Sequence, residues 1–145
     1  MSSEQAARMR VAATPDQVRA VLLDPLSLPE WNSAFLRIDG RPEAVTGEPY
    51  RLTVRPGLSG TFDYVRIEPG RIDTRWSVPG FTELGSWHIQ PHGAATEVEH
   101  AFGHEGPLAA VLAPAYRSVA RIRLTRLAAR LGHTEPSSSH SAGPQ

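Results

Sequence analysis

Thr82–Phe102, TELGSWHIQPHGAATEVEHAF, decides the architecture of this chain. Apolar and polar residues alternate from Thr82 to Gln90 and again from Thr96 to Phe102, with Pro91-His92-Gly93 between them. A period of two on both sides of a Gly-bearing turn predicts a β-hairpin. The same punctuation continues upstream. Strands are expected over Ala34–Asp39, Pro49–Arg55, Thr61–Glu68 and Ile72–Val78, separated by Gly40 and Pro42, Pro56-Gly57, Pro69-Gly70 and Pro79-Gly80. Met9–Ala12 reads as a further, first strand. Links this short predict antiparallel neighbours in sequence order. One long helix, Pro107–Leu131, then closes the chain. The expectation is an α+β domain in which a curved antiparallel sheet of about seven strands surrounds that helix. Such a sheet leaves room between itself and the helix for a small molecule.

Thr14-Pro15-Asp16-Gln17 is a complete helix start. Thr14 caps, Pro15 suits the first helical position, and Gln17 stands where a capping box places Gln or Glu. Val18, Val21 and Leu22 mark the buried face of a helix ending near Asp24-Pro25, and Ser27 caps a second short turn over Leu28–Trp31. In the closing helix one stripe carries Leu108, Val111, Leu112, Ala115, Val119 and Ile122. A rotated stripe carries Ala120, Leu124, Leu127 and Leu131, and Pro114 should bend the axis or mark a join. Residues 1–132 are thus expected as a single domain. Residues 133–145, rich in Ser and Pro with little to bury, are expected as a disordered tail.

Composition narrows the function classes. With 145 residues, 40% hydrophobic and 21% charged, the chain suits one globular core. All fifteen basic residues are Arg, which excludes a lysine Schiff base, and the absence of Cys excludes thiolate catalysis and disulfides. A formal charge of zero, with Arg and acids interspersed, lacks the footprint of a nucleic-acid binder. Apolar runs are too short for a membrane span and no secretory signal is read, so no membrane partner is expected and residence is expected to be cytoplasmic. No Gly-rich phosphate loop or nucleophile elbow is present, and no cofactor or metal is called for. A homodimer remains compatible with the sequence.

ATPDQVRAVLLDPLSLPEWN (13–32), IEPGR (67–71), SWHIQPHGAATEVEHAF (86–102) and the terminal helix resemble the polyketide cyclase/dehydrase-like branch of the START-related SRPBCC superfamily, over roughly residues 7–131. The resemblance implies a helix-grip fold that binds a small hydrophobic ligand, polyketide or lipid-like. Its members include aromatase/cyclases, lipid carriers and sequestering proteins. Its motifs mark the fold and carry no catalytic signature, so candidate site residues come from strand parity.

Phe81, Glu83, Gly85, Trp87 and Ile89 share one face, as do Val98, His100, Phe102 and His104. The apolar members turn these faces inward and bring Glu83 and His100 with them. Ile72, Thr74, Trp76 and Val78 face inward likewise, as do Tyr50, Leu52 and Val54. Between Thr61 and Glu68 either Phe62, Tyr64 and Arg66 or Thr61, Asp63, Val65 and Ile67 line the interior. Trp31 reads as a structural plug against the first helix and the sheet.

An inward His titrating near neutrality can remove a proton alpha to a carbonyl or return one to a leaving hydroxyl, the steps of aldol cyclisation and dehydration. His100 is therefore the expected acid/base, because His88 has the opposite parity, His92 lies in a turn and His104 lies at a strand end. Glu83 is its candidate orienting carboxylate. Tyr64 or Arg66 is the candidate oxyanion partner. Trp76, Trp87, Phe102, Leu52, Tyr116 and Leu112 complete the expected ligand-binding set. Two function classes follow: a cofactor-independent cyclase or dehydratase of secondary metabolism, of lyase or isomerase type, and a non-catalytic carrier with the same cavity.

Overall fold

The computed structural model describes residues 3–134. Seven strands form one antiparallel sheet: β1 Ser3–Val11, β2 Phe35–Asp39, β3 Tyr50–Val54, β4 Leu58–Glu68, β5 Arg71–Val78, β6 Phe81–His92 and β7 Ala95–Glu105. Their order is β1-β7-β6-β5-β4-β3-β2, so β2 to β7 neighbour one another in sequence order. β1 pairs with the last strand, from Ser3↔His104 to Val11↔Thr96, and is nine residues long, more than twice the length expected. The expected helix-grip architecture is therefore the observed one.

Helix α1, Pro15–Leu22, begins with the expected capping box. The Gln17 N–H donates to Thr14 Oγ1 and the Thr14 N–H donates to Gln17 Oε1. Such a cap contributes about 1 kcal/mol. The next turn differs from expectation: it is a 3-10 helix over Pro25–Glu30, preceded by Asp24 rather than capped by Ser27. Two prolines within six residues favour a short tight turn over an α-helix.

The single long helix expected over Pro107–Leu131 is three pieces. α2, Ala109–Leu112, runs into a 3-10 turn at Ala113–Tyr116, and α3 spans Val119–Thr134. The join falls at Pro114, which cannot continue an α-helical hydrogen-bond ladder. The break also decides between the two stripes. Ala120, Leu124, Leu127 and Leu131 are buried, whereas Leu108, Val111 and Ile122 are exposed. α3 lies against β1 and β7. Its backbone stays helical through His133 and Thr134, two residues into the expected tail; residues 135–145 of that tail lie outside the described residues.

Strand parity holds on β6 and β7, where alternate residues from Phe81 to Ile89 and from Thr96 to His104 are buried. On β4 the two alternatives merge. Phe62 and Tyr64 are buried, then a bulge between Tyr64 and Arg66 shifts the register and turns Ile67 toward the core opposite Ile72. An extra residue in one strand switches the face of all that follow. Arg66, a candidate ligand contact, is thereby placed outside, beside Glu68 and Asp73.

Candidate functional site

The register of the β6–β7 hairpin sets the chemistry of the interior. Glu83 lies opposite His104, Gly85 opposite Phe102, and Trp87 opposite His100. The Trp87 and His100 rings stack at 3.7 Å between centroids, 13° from parallel. From the other side α3 inserts Arg123, which is only 3% exposed although it sits in a helix rich in solvent-facing arginines.

Four side chains form a closed polar network. Arg123 Nη1 donates to Glu83 Oε2 at 2.7 Å and Nη2 donates to Oε1 at 3.1 Å, while His104 Nε2 donates to the same Oε1 at 2.9 Å. Arg123 Nη1 also donates to His100 Nε2 at 3.2 Å, and His100 Nδ1 donates to the Ser86 carbonyl at 3.0 Å. The imidazole of His100 is thus the Nδ1–H tautomer, with its Nε2 lone pair toward the guanidinium. Phe102 supplies its ring face to the Arg123 guanidinium, 4.9 Å from the centroid.

The electrostatics follow from burial and one cation. Burial pushes the Glu83 carboxyl up, but the Arg123 charge, with hydrogen bonds from His104 and Arg123, holds it down at about 2. Burial and then the Arg123 charge pull His100 down to about 3, against the opposing pull of Glu83 and Ser86. The expectation that His100 titrates near neutrality is therefore corrected: beside Arg123 it is a neutral acceptor. Burial and the charge of Glu83 raise the Tyr116 phenol to about 12, with Arg123 opposing.

The network borders a small cavity of about 20 Å³ lined also by Trp31, Asn32, Phe35, Trp76 and Trp87. That is room for about one water, so the open, ligand-sized interior expected from the sequence is filled by rings. Trp31 packs edge-on against Trp87 at 5.7 Å, and Phe35 edge-on against Trp76 at 5.6 Å. Three buried N–H donors on residues lining this cavity have no partner among the described residues: Trp31 Nε1, Trp76 Nε1 and Arg123 Nε. A larger hollow, about 590 Å³, lies on the opposite face of the sheet among Ala6, Leu84, Ser86, Ala101 and Gly103. Strand parity turns the charged network away from it.

Of the candidate residues, Glu83, His100, Trp76 and Trp87 meet at the interior cavity. Tyr64 does not: its hydroxyl donates to the Leu22 carbonyl at 2.7 Å, and burial raises its pKa. Leu52 belongs to the core and Leu112 packs half-buried against it. Phe102 lies beneath Arg123, while Tyr116 stacks on Phe81 at 5.5 Å and meets His104 edge-on at 4.3 Å. Sequence reasoning misses Arg123, and it places His104 on the inward face but sets it aside as a strand-end residue. His104 was legible: carried outward from the Gly93 turn, the hairpin register sets it opposite Glu83. Arg123 stands three residues after Ala120 and four before Leu127, on the apolar stripe, and a guanidinium there signals a buried acid to meet it.

The profile of the family described as polyketide cyclase / dehydrase and lipid transport matches residues 5–132. No curated protein matches the sequence. Among solved structures, the chain is similar to the Zhui aromatase/cyclase of Streptomyces sp. R1128, at a TM-score of 0.77 and 16% identity, covering 99% of this chain and 100% of that one. A START superfamily protein from Mycobacterium smegmatis aligns at 0.71 and 17% identity over 90% and 98% of the two chains. Norcoclaurine synthase from Thalictrum flavum, a point mutant bound to a transition-state analogue, aligns at 0.70 and 13% over 93% and 97%. At these identities the structural likeness establishes the fold. With the profile spanning nearly the whole chain, this protein belongs to the family described as polyketide cyclase / dehydrase and lipid transport.

Proposed function

We propose that the protein binds a small, flat, carbonyl-bearing hydrophobic molecule between α3 and the sheet and promotes its cyclisation or dehydration by acid/base chemistry. One observation supports this above the rest: a buried guanidinium, fixed by Glu83, brings an unpartnered Nε–H to a ring-lined cavity. A ligand oxygen entering that cavity would meet a donor already desolvated and oriented, the condition under which charge stabilisation is strongest. In this reading a carbon alpha to the carbonyl gives its proton to His100 Nε2, and the bonding pair moves into an enolate whose oxygen takes hydrogen bonds from Arg123. The enolate carbon then attacks a second carbonyl, and the alkoxide so formed takes the first proton back from His100 and becomes a hydroxyl. For dehydration His100 Nε2 takes a second alpha proton, its bonding pair forms the new C=C as the C–O bond breaks, and that proton goes to the departing hydroxyl, which leaves as water. When the oxyanion draws away the Arg123 Nη1–H, His100 loses the bond that occupies its lone pair, and its proton affinity rises. Secondary metabolism in the cytoplasm is the setting this chemistry suits.

A second reading, a carrier that holds such a molecule unchanged, is favoured by the engagement of both His100 nitrogens. Heptane-2,4,6-trione, whose cyclisation is followed by absorbance, separates the two. The enzyme reading expects a rate above the protein-free reaction that Arg123→Gln abolishes. Saturable binding of the triketone with no acceleration would leave the carrier reading.

A further inference from the structure

The interior cavity and a surface hollow share one lining residue, Trp31. A hollow of about 200 Å³ lies outside, lined by Glu30, Trp31, Arg126, Ala129 and Arg130, and Trp31 is the residue it shares with the interior cavity. Nothing polar among the described residues holds the indole in place, because its Nε1–H has no partner there. It follows directly on a 3-10 helix, whose hydrogen-bond geometry is poorer than that of an α-helix. Beside it, Glu30 pairs with Arg130 and ties the end of that 3-10 helix to α3.

The wall of the same passage is one helical stripe. Arg123, Arg126 and Arg130 are spaced three and four apart, which sets them on one side of α3. They run from the buried network to the outer hollow, and Arg126 pairs with no acid among the described residues. From Pro107 to Thr134 the chain contains no Asp or Glu at all.

Building on the functional reading above, we propose that Trp31 is the door of the site. Its indole swings out of the interior toward the hollow between the 3-10 helix and α3, the Glu30–Arg130 pair is the latch, and the molecule admitted is a flat one carrying an anionic oxygen. The indole fills the space a flat ring system would take against Trp87. The guanidinium stripe attracts the anion at the mouth and delivers it to Arg123.

The test uses two flat fluorescent probes with the full chain: anilinonaphthalene sulfonate, which is anionic, and N-phenyl-1-naphthylamine, which is neutral. If the door must open first, the observed stopped-flow rate levels off at high probe concentration. Glu30→Gln should raise that plateau several-fold, and Trp31→Ala should remove it. Arg126→Ser should weaken the anionic probe about tenfold and the neutral one little. An unchanged plateau in Glu30→Gln overturns the latch even if Trp31→Ala fails to fold, and equal weakening of both probes by Arg126→Ser overturns the anion preference. Arg123→Gln keeps the two proposals apart. Loss of binding in that variant with unaltered kinetics in the door variants leaves the functional reading standing and removes the door. Door-dependent kinetics with affinity indifferent to Arg123→Gln does the reverse.

Discussion

Glu83 and His104 face each other across β6 and β7, with Oε1 and Nε2 2.9 Å apart and neither side chain more than 3% exposed. Arg123 closes the same carboxylate from α3 with two further hydrogen bonds. The sheet and its helix are therefore joined at their centre by a charge pair surrounded by rings. An ion pair this deeply buried contributes little net stability but makes the loss of either partner severe.

Glu83→Gln or Arg123→Met alone should each cost about 3–5 kcal/mol, because each leaves one charge buried without its counterion. The double variant Glu83→Leu/Arg123→Met should be much closer to the wild type than the two single losses added together. Urea unfolding of the four proteins measures the coupling. Additive losses would mean that the two charges act independently, contrary to the geometry.

Stability should fall as the solution becomes acidic, in two windows. The folded pKa of His100, about 3, lies below its unfolded value near 6.5, so the unfolded chain binds a proton first and stability is lost as pH drops from about 6.5 toward 3. Glu83, at about 2 when folded against about 4.3 unfolded, contributes stability above its unfolded pKa that is lost between about 4.3 and 2. Between pH 6.5 and 4.5 the His100 window contributes about 2–3 kcal/mol, or roughly 10 °C in Tm. His100→Asn, which keeps an acceptor for Arg123 but does not titrate, should flatten this upper window and leave the lower one. A wild-type Tm constant from pH 7 to 4.5 would contradict the buried neutral imidazole.

Much of this arrangement is legible in the sequence, and the exceptions have physical causes. Alternation fixes which residues of β5, β6 and β7 face inward, since a strand has only two faces. It fails on β4 because a bulge is a local backbone choice at Val65 that no periodicity announces. The closing helix breaks where Pro114 lies, yet the sequence offers two apolar stripes and only the packed fold shows that the one from Ala120 to Leu131 is buried. The interior differs more from the expected open pocket. Trp31 is a plug as read, but whether a cavity persists depends on the rotamers of Trp31, Trp76 and Trp87 packing together, a property of volume and not of pattern. The proton affinity of His100 likewise escapes pattern, because it depends on a cation twenty-three positions away.

Tyr64 offers a clean separation of structural from ligand-contacting roles. Its hydroxyl is committed to the Leu22 carbonyl, the last residue of α1, and it lies outside the cavity lining. Tyr64→Phe leaves that buried carbonyl unpaired and should cost about 1–3 kcal/mol. The affinity for either naphthyl probe should stay within twofold of the wild type. A large loss of affinity with little loss of stability would return Tyr64 to the ligand-binding set.

The sharpest prediction concerns the pH dependence of turnover. A base titrating near neutrality, as the sequence suggests for His100, would make kcat/KM for the triketone fall below pH 6.5. Burial and the Arg123 charge hold the free imidazole near 3, so its Nε2 is already unprotonated across the neutral range and the free-enzyme profile should be flat from about pH 8 to 5. His100→Ala should lower kcat about a hundredfold while changing KM little, since the imidazole acts on the proton and not on the ring system that binds. Arg123→Gln should lower kcat and raise KM together, because the guanidinium meets the ligand oxygen in both the bound and the reacting state. If kcat/KM instead shows an inflection near 6.5 that survives His100→Ala, the base is a different group, and His100 is a packing partner of Trp87 whose second nitrogen only steadies Arg123.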